Sequence, residues 1–408
     1  MGFDVKLYSY CINYKYFTCD RASFSLLDDC SLFFRARRLP LQKRKTTNTM
    51  NHQKLLFCFL MATIASSCSK GGIEKELFLF GVSEISDIKA EPVTLASIAT
   101  IDPPLSIGIL DTMVFSYKPM GEANYYVFPL DNPFVTPEIV CVKGRREDEP
   151  MNIFPFKEVF LKNGEWMTYL FNLDRSRVLE WNLSKTLSEG KDVFESVSFL
   201  KPDYDGEIMP FGYFHVGEEQ ILVIDDHLEE IEKAGVIQSI RRAPTLDRYD
   251  FKSGNLINSI KLFKDSDIEG DLWQYNEVLT PNVCVNPAGT KAFVAMAYLP
   301  VYCVIDIESG KASGFKIDGL PPFDESAKRW YFKSVVASKD QIYALFSGSV
   351  FKDPFTPPEG NDVLYVLDWS GSVLHKYMLS GQYQDMWNDP SNGKTYLINR
   401  GTGELAIL

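Results

Sequence analysis

Two acidic segments hold the residue types that a metal or acid–base site would need. Asp265-Ser-Asp-Ile-Glu-Gly-Asp271 sets carboxylates at alternate positions, on Asp265, Asp267, Glu269 and Asp271, with a glycine sixth. That pattern folds several oxygens round a hard cation such as calcium. The match is partial, because position five is Glu and the closing position is Asn276, with Glu277 one place late; a solvated acidic turn fits the same residues. Asp225-Asp-His227, followed by Glu229 and Glu230, groups carboxylates with an imidazole. It heads the stretch Asp226–Ala234, whose charge spacing predicts a short helix ended by Gly235, and acids in a first turn also serve the helix dipole.

Nucleophilic catalysis finds little material. No Gly-x-Ser-x-Gly elbow occurs, and past Cys68 the histidines are His215, His227 and His375 alone. Paired carboxylates for glycan cleavage can be found in any acidic chain, so composition does not exclude that activity. No cofactor motif is present, and none is expected. Aromatic residues offer more: Trp273 and Tyr275, Arg329-Trp330-Tyr331, and Tyr383 to Trp387 stand just ahead of strand-like runs. With Arg145, Arg146, His227 and Arg329 they could bind sugars or peptides, since ring faces beside polar groups suit both. The same rings would serve equally as packing between neighbouring sheets.

The one residue with a defined covalent fate is Cys68. It follows Met50-Asn-His-Gln-Lys54, an apolar run from Leu55 to Ala65 and the small pair Ser66-Ser67. A positive start, a short apolar core and small residues before a cysteine form a lipoprotein signal peptide, and that core is too short to cross a bilayer of about 30 Å as a helix. Cys68 is then the lipid-bearing first residue, with two acyl chains enough for stable anchoring. Residues 1–49 hold nine Lys/Arg, four Asp/Glu and no hydrophobic period, and read as a non-native leader from an upstream start. The organisation expected is leader 1–49, signal peptide 50–67, tether 68–76 and one domain over 77–408.

The first 68 residues carry ten Lys/Arg against four Asp/Glu, so with a formal −12 for the whole chain the remainder bears −18. Such a body has no basic stripe to neutralise phosphates, which argues against nucleic acid as a partner. Membrane attachment would rest on the lipid. Past Cys68 only Cys141, Cys284 and Cys303 remain, too few for a disulfide-built scaffold. Cys284 and Cys303 lie in consecutive strand-like runs, where a bridge is conceivable but two buried thiols are the simpler expectation.

Positioning of these residues falls to short strands. Runs of four to eight apolar, β-branched or aromatic residues alternate with Gly, Asn, Asp and Pro turns throughout the domain. Three stretches share one grammar. Val283–Tyr298 leads into Val301–Gly310 through the turn Asn286-Pro-Ala-Gly-Thr290; Ser334–Phe346 leads into Asp362–Leu374; Val159–Phe171 leads into Arg177–Leu183. A period of about 40–55 residues with four strands per unit is what a propeller blade requires. Provisional blades are 101–150, 151–203, 204–265, 266–320, 321–380, and a last one from 381. Its missing strands would come from Glu76–Phe80 and Val93–Ile98, closing the ring and removing its edges.

Ile342-Tyr-Ala-Leu-Phe-Ser-Gly348, Leu364-Tyr-Val-Leu-Asp-Trp-Ser-Gly371, the turn Val285–Thr290 and the loop Lys143–Pro150 together resemble the TolB-like six-bladed β-propeller lipoproteins of Bacteroidota-type bacteria. The resemblance covers nearly the whole chain after Cys68. It implies an all-β propeller of six four-stranded antiparallel blades in the cell envelope, lipid-anchored at the outer membrane, and it brings no catalytic residues. Relatives often have a Pro-Gly-Glu type loop where this chain has Gly144-Arg-Arg-Glu-Asp-Glu-Pro150. The reading that follows is a non-catalytic binding or scaffold module for a glycan, peptide or envelope protein. Its rival is a glycan hydrolase or lyase on the same fold.

Overall fold

The computed structural model describes residues 77–408 apart from 145–148, 174–175, 205–207, 227, 234–235, 242, 265–277, 325–328, 351–359 and 400, and without the side chains of 228–241. The described residues belong to a unit made of Ile73–Lys352 and Pro358–Leu408; a second, Met1–Gly72 with Asp353–Pro357, lies outside them.

Three short strands lead: β1 (Val82–Ile85), β2 (Glu91–Val93) and β3 (Ala96–Thr100). Six antiparallel sheets follow. Blade 1 is β4 (Ser106–Leu110), β5 (Met113–Tyr117), β6 (Ala123–Pro129) and β7 (Glu138–Val142). Blade 2 is β8 (Phe160–Lys162), β9 (Glu165–Asn172), β10 (Arg177–Asn182) and, after the helix α1 (Leu183–Glu189), β11 (Phe194–Phe199). Blade 3 is β12 (Pro210–His215), β13 (Gln220–Asp225), β16 (Thr245–Asp250) and β17 (Leu256–Lys261), with a separate hairpin of β14 (Leu228–Lys233) and β15 (Val236–Arg241) inserted. Blade 4 is β18 (Pro281–Val285), β19 (Lys291–Met296), β20 (Tyr302–Asp306) and β21 (Lys311–Ile317). Blade 5 is β22 (Arg329–Ala337), β23 (Ile342–Val350), β24 (Val363–Leu367) and β25 (Val373–Leu379). Blade 6 is β26 (Asp385–Asn388), β27 (Thr395–Asn399), β28 (Glu404–Ile407) and β3, which pairs antiparallel with β28 and closes the ring.

Burial explains the strand sequences. The middle strands lie between neighbouring blades and read as continuous apolar runs, as in Ile221-Leu-Val-Ile224 of β13 and Ala292-Phe-Val-Ala-Met296 of β19. Outermost strands such as β17 and β25 alternate with exposed residues instead. The core is accordingly a set of clusters at the blade contacts. One joins blades 1, 2 and 6 around Phe115, Phe156, Trp181 and Trp387, and others fill the contacts 2–3, 3–4, 4–5 and 5–6. The first strands of blades 3, 4, 5, 6 and 1 touch in succession round the centre.

The turns that set the repeat are locked by side chains. In blade 4 the Asp306 carboxylate accepts from the Ser309 amide and hydroxyl, and Gly310 takes φ 68°, where a side chain would be strained. Asp250 with Ser253 and Asp368 with Ser370 repeat the device in blades 3 and 5. Asn286 closes its turn by accepting from Thr290 and Lys291.

Two expectations change. Asp226–Ala234 is not helical as expected: Leu228–Lys233 pairs antiparallel with Val236–Arg241, and that cross-strand pairing outweighs the helical charge spacing. Glu76–Phe80 does not help close blade 6 either. Phe78 bridges Phe263 after blade 3, β1 runs parallel on β21 of blade 4, β2 runs parallel on β25 of blade 5, and β3 alone completes blade 6. The segment is a strap over the outer rim of four consecutive blades, covering edges that would otherwise be open. Gly314 lets it dock, because a Cβ there would meet the Phe80 ring at 2.5 Å. Asp87 pairs with Lys376 farther along.

Cys141, Cys284 and Cys303 are free and buried. Cys284 packs in the cluster toward blade 5 and Cys303 in the cluster toward blade 3, so they sit on opposite faces of blade 4 and cannot bridge. Among the described residues no helix is long and apolar enough to cross a membrane.

Candidate functional site

The antiparallel order gives the ring two unlike faces. On the upper face each innermost strand begins and each outermost strand ends, so the chain leaves the blades there on its way to the next blade, and it also leaves there between second and third strands, as after β13 and β23. The lower face carries mostly tight turns, such as 111–112, 163–164, 307–310 and 368–372. Asp111, Asn163 and Gly164 adopt positive φ there, as two-residue hairpins require.

Blade 5 has the longest strand pair of the ring. β22 and β23 each run nine residues, with two bulges in their register around Phe332, so that Arg329 pairs with Val350 and Trp330 with Ser349. Arg329 and Trp330 are half-buried, and the Arg329 guanidinium donates to Gly348 O at 3.1 Å. Below them the Lys333 ammonium lies 6.0 Å from the Trp330 ring centre. Lys333 is buried and donates to both Asp362 oxygens, at 2.7 and 2.9 Å, and to Tyr383 O. Asp362 also accepts from the Tyr383 amide at 2.7 Å. Burial raises the Asp362 carboxyl above its ordinary range, opposed by the Lys333 charge. Ser334 donates to Asp385 of blade 6 at 2.8 Å, and Asn282 of blade 4 donates to Phe332 O at 2.8 Å, so polar ties join blades 4, 5 and 6 near the axis.

Across the axis, Glu158 precedes the short β8 and accepts the backbone N–H of His215 in blade 3. Enclosure by protein pushes its carboxyl up to about 8, only partly offset by that hydrogen bond. At neutral pH it is largely a neutral acid. The His215 ring stacks on Phe160 with centroids 4.1 Å apart, and burial, helped by Lys162, lowers it to about 4. Burial above all raises the Cys284 thiol, and Glu158 adds to the rise once it ionises at higher pH, which removes the thiol as a nucleophile near pH 7. Among the described residues no group of three His, Cys, Asp or Glu is placed to hold a metal.

The structure separates the sequence candidates. Tyr331 is fully buried, its hydroxyl donating to Pro321 O and Pro322 O. Trp387 is 5% exposed, packs edge-on against Phe156, and donates its indole N–H to Ile109 O of blade 1 at 2.7 Å. Both belong to the inter-blade core. Arg329 and Trp330 stay together at the upper rim. Cys68, Arg145, Arg146, His227, Trp273, Tyr275 and the acidic loop Asp265, Asp267, Glu269 and Asp271 lie outside the described residues or side chains. Asp225 and Asp226, next to His227, are buried; Asp225 accepts from the Met209 amide at 2.9 Å and from the Tyr204 hydroxyl. Sequence reasoning missed Lys333, although a lone lysine in Trp330-Tyr-Phe-Lys-Ser-Val-Val-Ala337 signals a buried partner. Glu158, on a connection, carries no such signal.

No protein-family model matches the chain, and no curated protein matches it. Solved structures that resemble it include a member of the DUF4221 family from Bacteroides vulgatus, with TM-score 0.49 and 11% identity, covering 77% of this chain and 96% of that one. Another is a Bacteroides fragilis protein described as exported, with TM-score 0.42 and 9% identity, covering 83% of this chain and 96% of that one. Hydrazine synthase from Kuenenia stuttgartiensis follows at TM-score 0.42 and 11% identity, covering 79% and 98%.

Proposed function

We propose that this chain is an envelope lipoprotein, anchored through Cys68 at the outer membrane, whose TolB-like ring is a non-catalytic binding or scaffold module for a glycan, peptide or protein partner. The binding surface is the upper face. The observation that carries the reading is the inequality of the two faces: the longest connections, between β7 and β8, β13 and β16, and β17 and β18, leave from one, while apart from the β6–β7 and β10–β11 connections the other carries tight turns, several locked by side chains. Loops on a rigid frame are where recognition resides, because their sequences are free of the packing that fixes the blades. Arg329 and Trp330 supply a guanidinium and an indole on the longest strand pair of that face. The signal-like segment before Cys68 supports export and acylation.

The test is capture of glycans and peptides on arrays by the purified protein, with Arg329→Ala and Trp330→Ala as probes. Loss of capture at unchanged thermal stability supports the site. Capture that survives both changes moves the site elsewhere, and cleavage of a captured ligand overturns the non-catalytic reading. Mass spectrometry of the membrane fraction tests the anchor: Cys68 should carry acyl chains, and peptides from 1–67 should be missing.

A further inference from the structure

The rim strap begins on the same face as the long connections. Lys264 N–H donates to Leu77 O at 2.8 Å and Leu79 N–H to Leu262 O at 2.9 Å, just past the upper end of β17. Chain preceding Leu77 therefore joins the ring at the upper rim of blade 3. Four successive pairings fix that starting point: Phe78 to Phe263, β1 to β21, β2 to β25 and β3 to β28. Gly314 under Phe80 and the Asp87–Lys376 pair hold the strap between them.

Distance then selects an orientation. The nine residues from Cys68 to Leu77 reach at most about 30 Å when fully extended. Strands of five or six residues put the lower face about 17–20 Å farther down the rim before its turns are counted. A lipid on Cys68 that turned the lower face to a bilayer would spend most of its reach crossing the rim, whereas the upper face needs no crossing. Building on the anchoring reading above, we infer that the upper face is the membrane-facing surface of the ring, and that its partner is one presented at the bilayer surface rather than in the bulk.

The experiment fixes the lipid chemically, so that it does not depend on acylation in cells. The chain from Cys68 onward is coupled at that thiol to a maleimide lipid in phosphatidylcholine vesicles; Cys141, Cys284 and Cys303 are buried and stay unmodified. Residues before Ile73 form no part of the propeller unit. A benzophenone amino acid replaces either Met120, 95% exposed in the upper turn between β5 and β6, or Lys339, exposed in the lower turn between β22 and β23. Irradiation should give at least fivefold more lipid adduct from position 120. Equal yields, a reversed ratio, or no adduct from either position overturns the orientation. An unmodified Cys68 in cells would instead overturn the anchoring reading and leave this ratio standing as a property of the tethered ring.

Discussion

Lys333 Nζ and Asp362 Oδ1 meet at 2.7 Å with both side chains buried, inside blade 5 and against the turn that leads to blade 6. Asp362 also receives the Tyr383 amide and Lys333 also donates to Tyr383 O, so the pair holds both backbone polar groups of a residue in the connection just ahead of the next blade. A charge removed from such a pair leaves the other uncompensated in a site that water cannot repair. Lys333→Met should cost about 3–5 kcal/mol in urea unfolding. Adding Asp362→Asn should recover much of that loss, because the amide oxygen is neutral and still accepts from Tyr383. A double variant no more stable than Lys333→Met would show that the ammonium matters for packing rather than for charge.

Stability should depend on pH with two opposing slopes. Glu158 rises from an ordinary 4.5 to about 8 in the fold, so the folded chain holds a proton that the unfolded chain has released. Its contribution is complete below about pH 4.5 and is lost as pH climbs toward 8. His215 falls from 6.5 to about 4, so its contribution is complete above pH 6.5 and is lost as pH drops toward 4. Glu158→Gln should therefore be more stable than the parent at pH 8–9 and show no gain at pH 4.5, by denaturation at each pH. Replacing His215 with Phe should flatten the acid limb and leave the alkaline one unchanged.

The strap can be lifted from one point. Gly314→Ala places a methyl group against the Phe80 ring and 3.0 Å from Gly81 O, and should cost about 1–3 kcal/mol. Phe80→Ala removes the ring and loses its own packing. The double variant should be less destabilised than the sum of the two, since only one clash is being relieved. Additive losses would mean that strap and blade adjust independently. Limited proteolysis should show the same coupling as faster cleavage near residues 86–90 in Gly314→Ala alone.

Six blades were legible because their signals are local. Asp306-Ile-Glu-Ser-Gly310 and Asn286-Pro-Ala-Gly-Thr290 specify turns through bonds within five residues, and the apolar runs between them specify strands buried on both faces. What the sequence hid depends on partners far along the chain. Glu76–Phe80 reads as a strand, but nothing in it says that its neighbour is Phe263 and not Ala406. Asp226–Ala234 shows helical charge spacing, and only the pairing with Val236–Arg241 makes Leu228–Lys233 within it a strand. Aromatics ahead of strands look alike in sequence whether they line a surface, as Trp330 does in part, or sit between blades like Tyr331 and Trp387. The Lys333–Asp362 contact spans 29 residues and was marked only by a lysine in an apolar run.

Trp330 and Trp387 should separate cleanly, because the ring gives them different work. Trp387 fills the contact between blades 6, 1 and 2, and its N–H occupies the buried carbonyl of Ile109. Trp387→Ala empties that site and orphans the carbonyl, so a loss of about 3–5 kcal/mol is expected. Trp387→Phe keeps most of the packing and should lose about 1–3 kcal/mol, the cost of the missing donor. Trp330 is half-exposed, and its contact with the Lys333 ammonium at 6.0 Å is worth about 0.5–1 kcal/mol, so Trp330→Ala should stay near 1 kcal/mol. Ligand capture should run the opposite way, abolished by Trp330→Ala and retained by Trp387→Phe at temperatures where that variant is folded. A Trp330→Ala variant as unstable as Trp387→Ala would make Trp330 a core residue, and the upper-rim site would then lose its only aromatic among the described candidates.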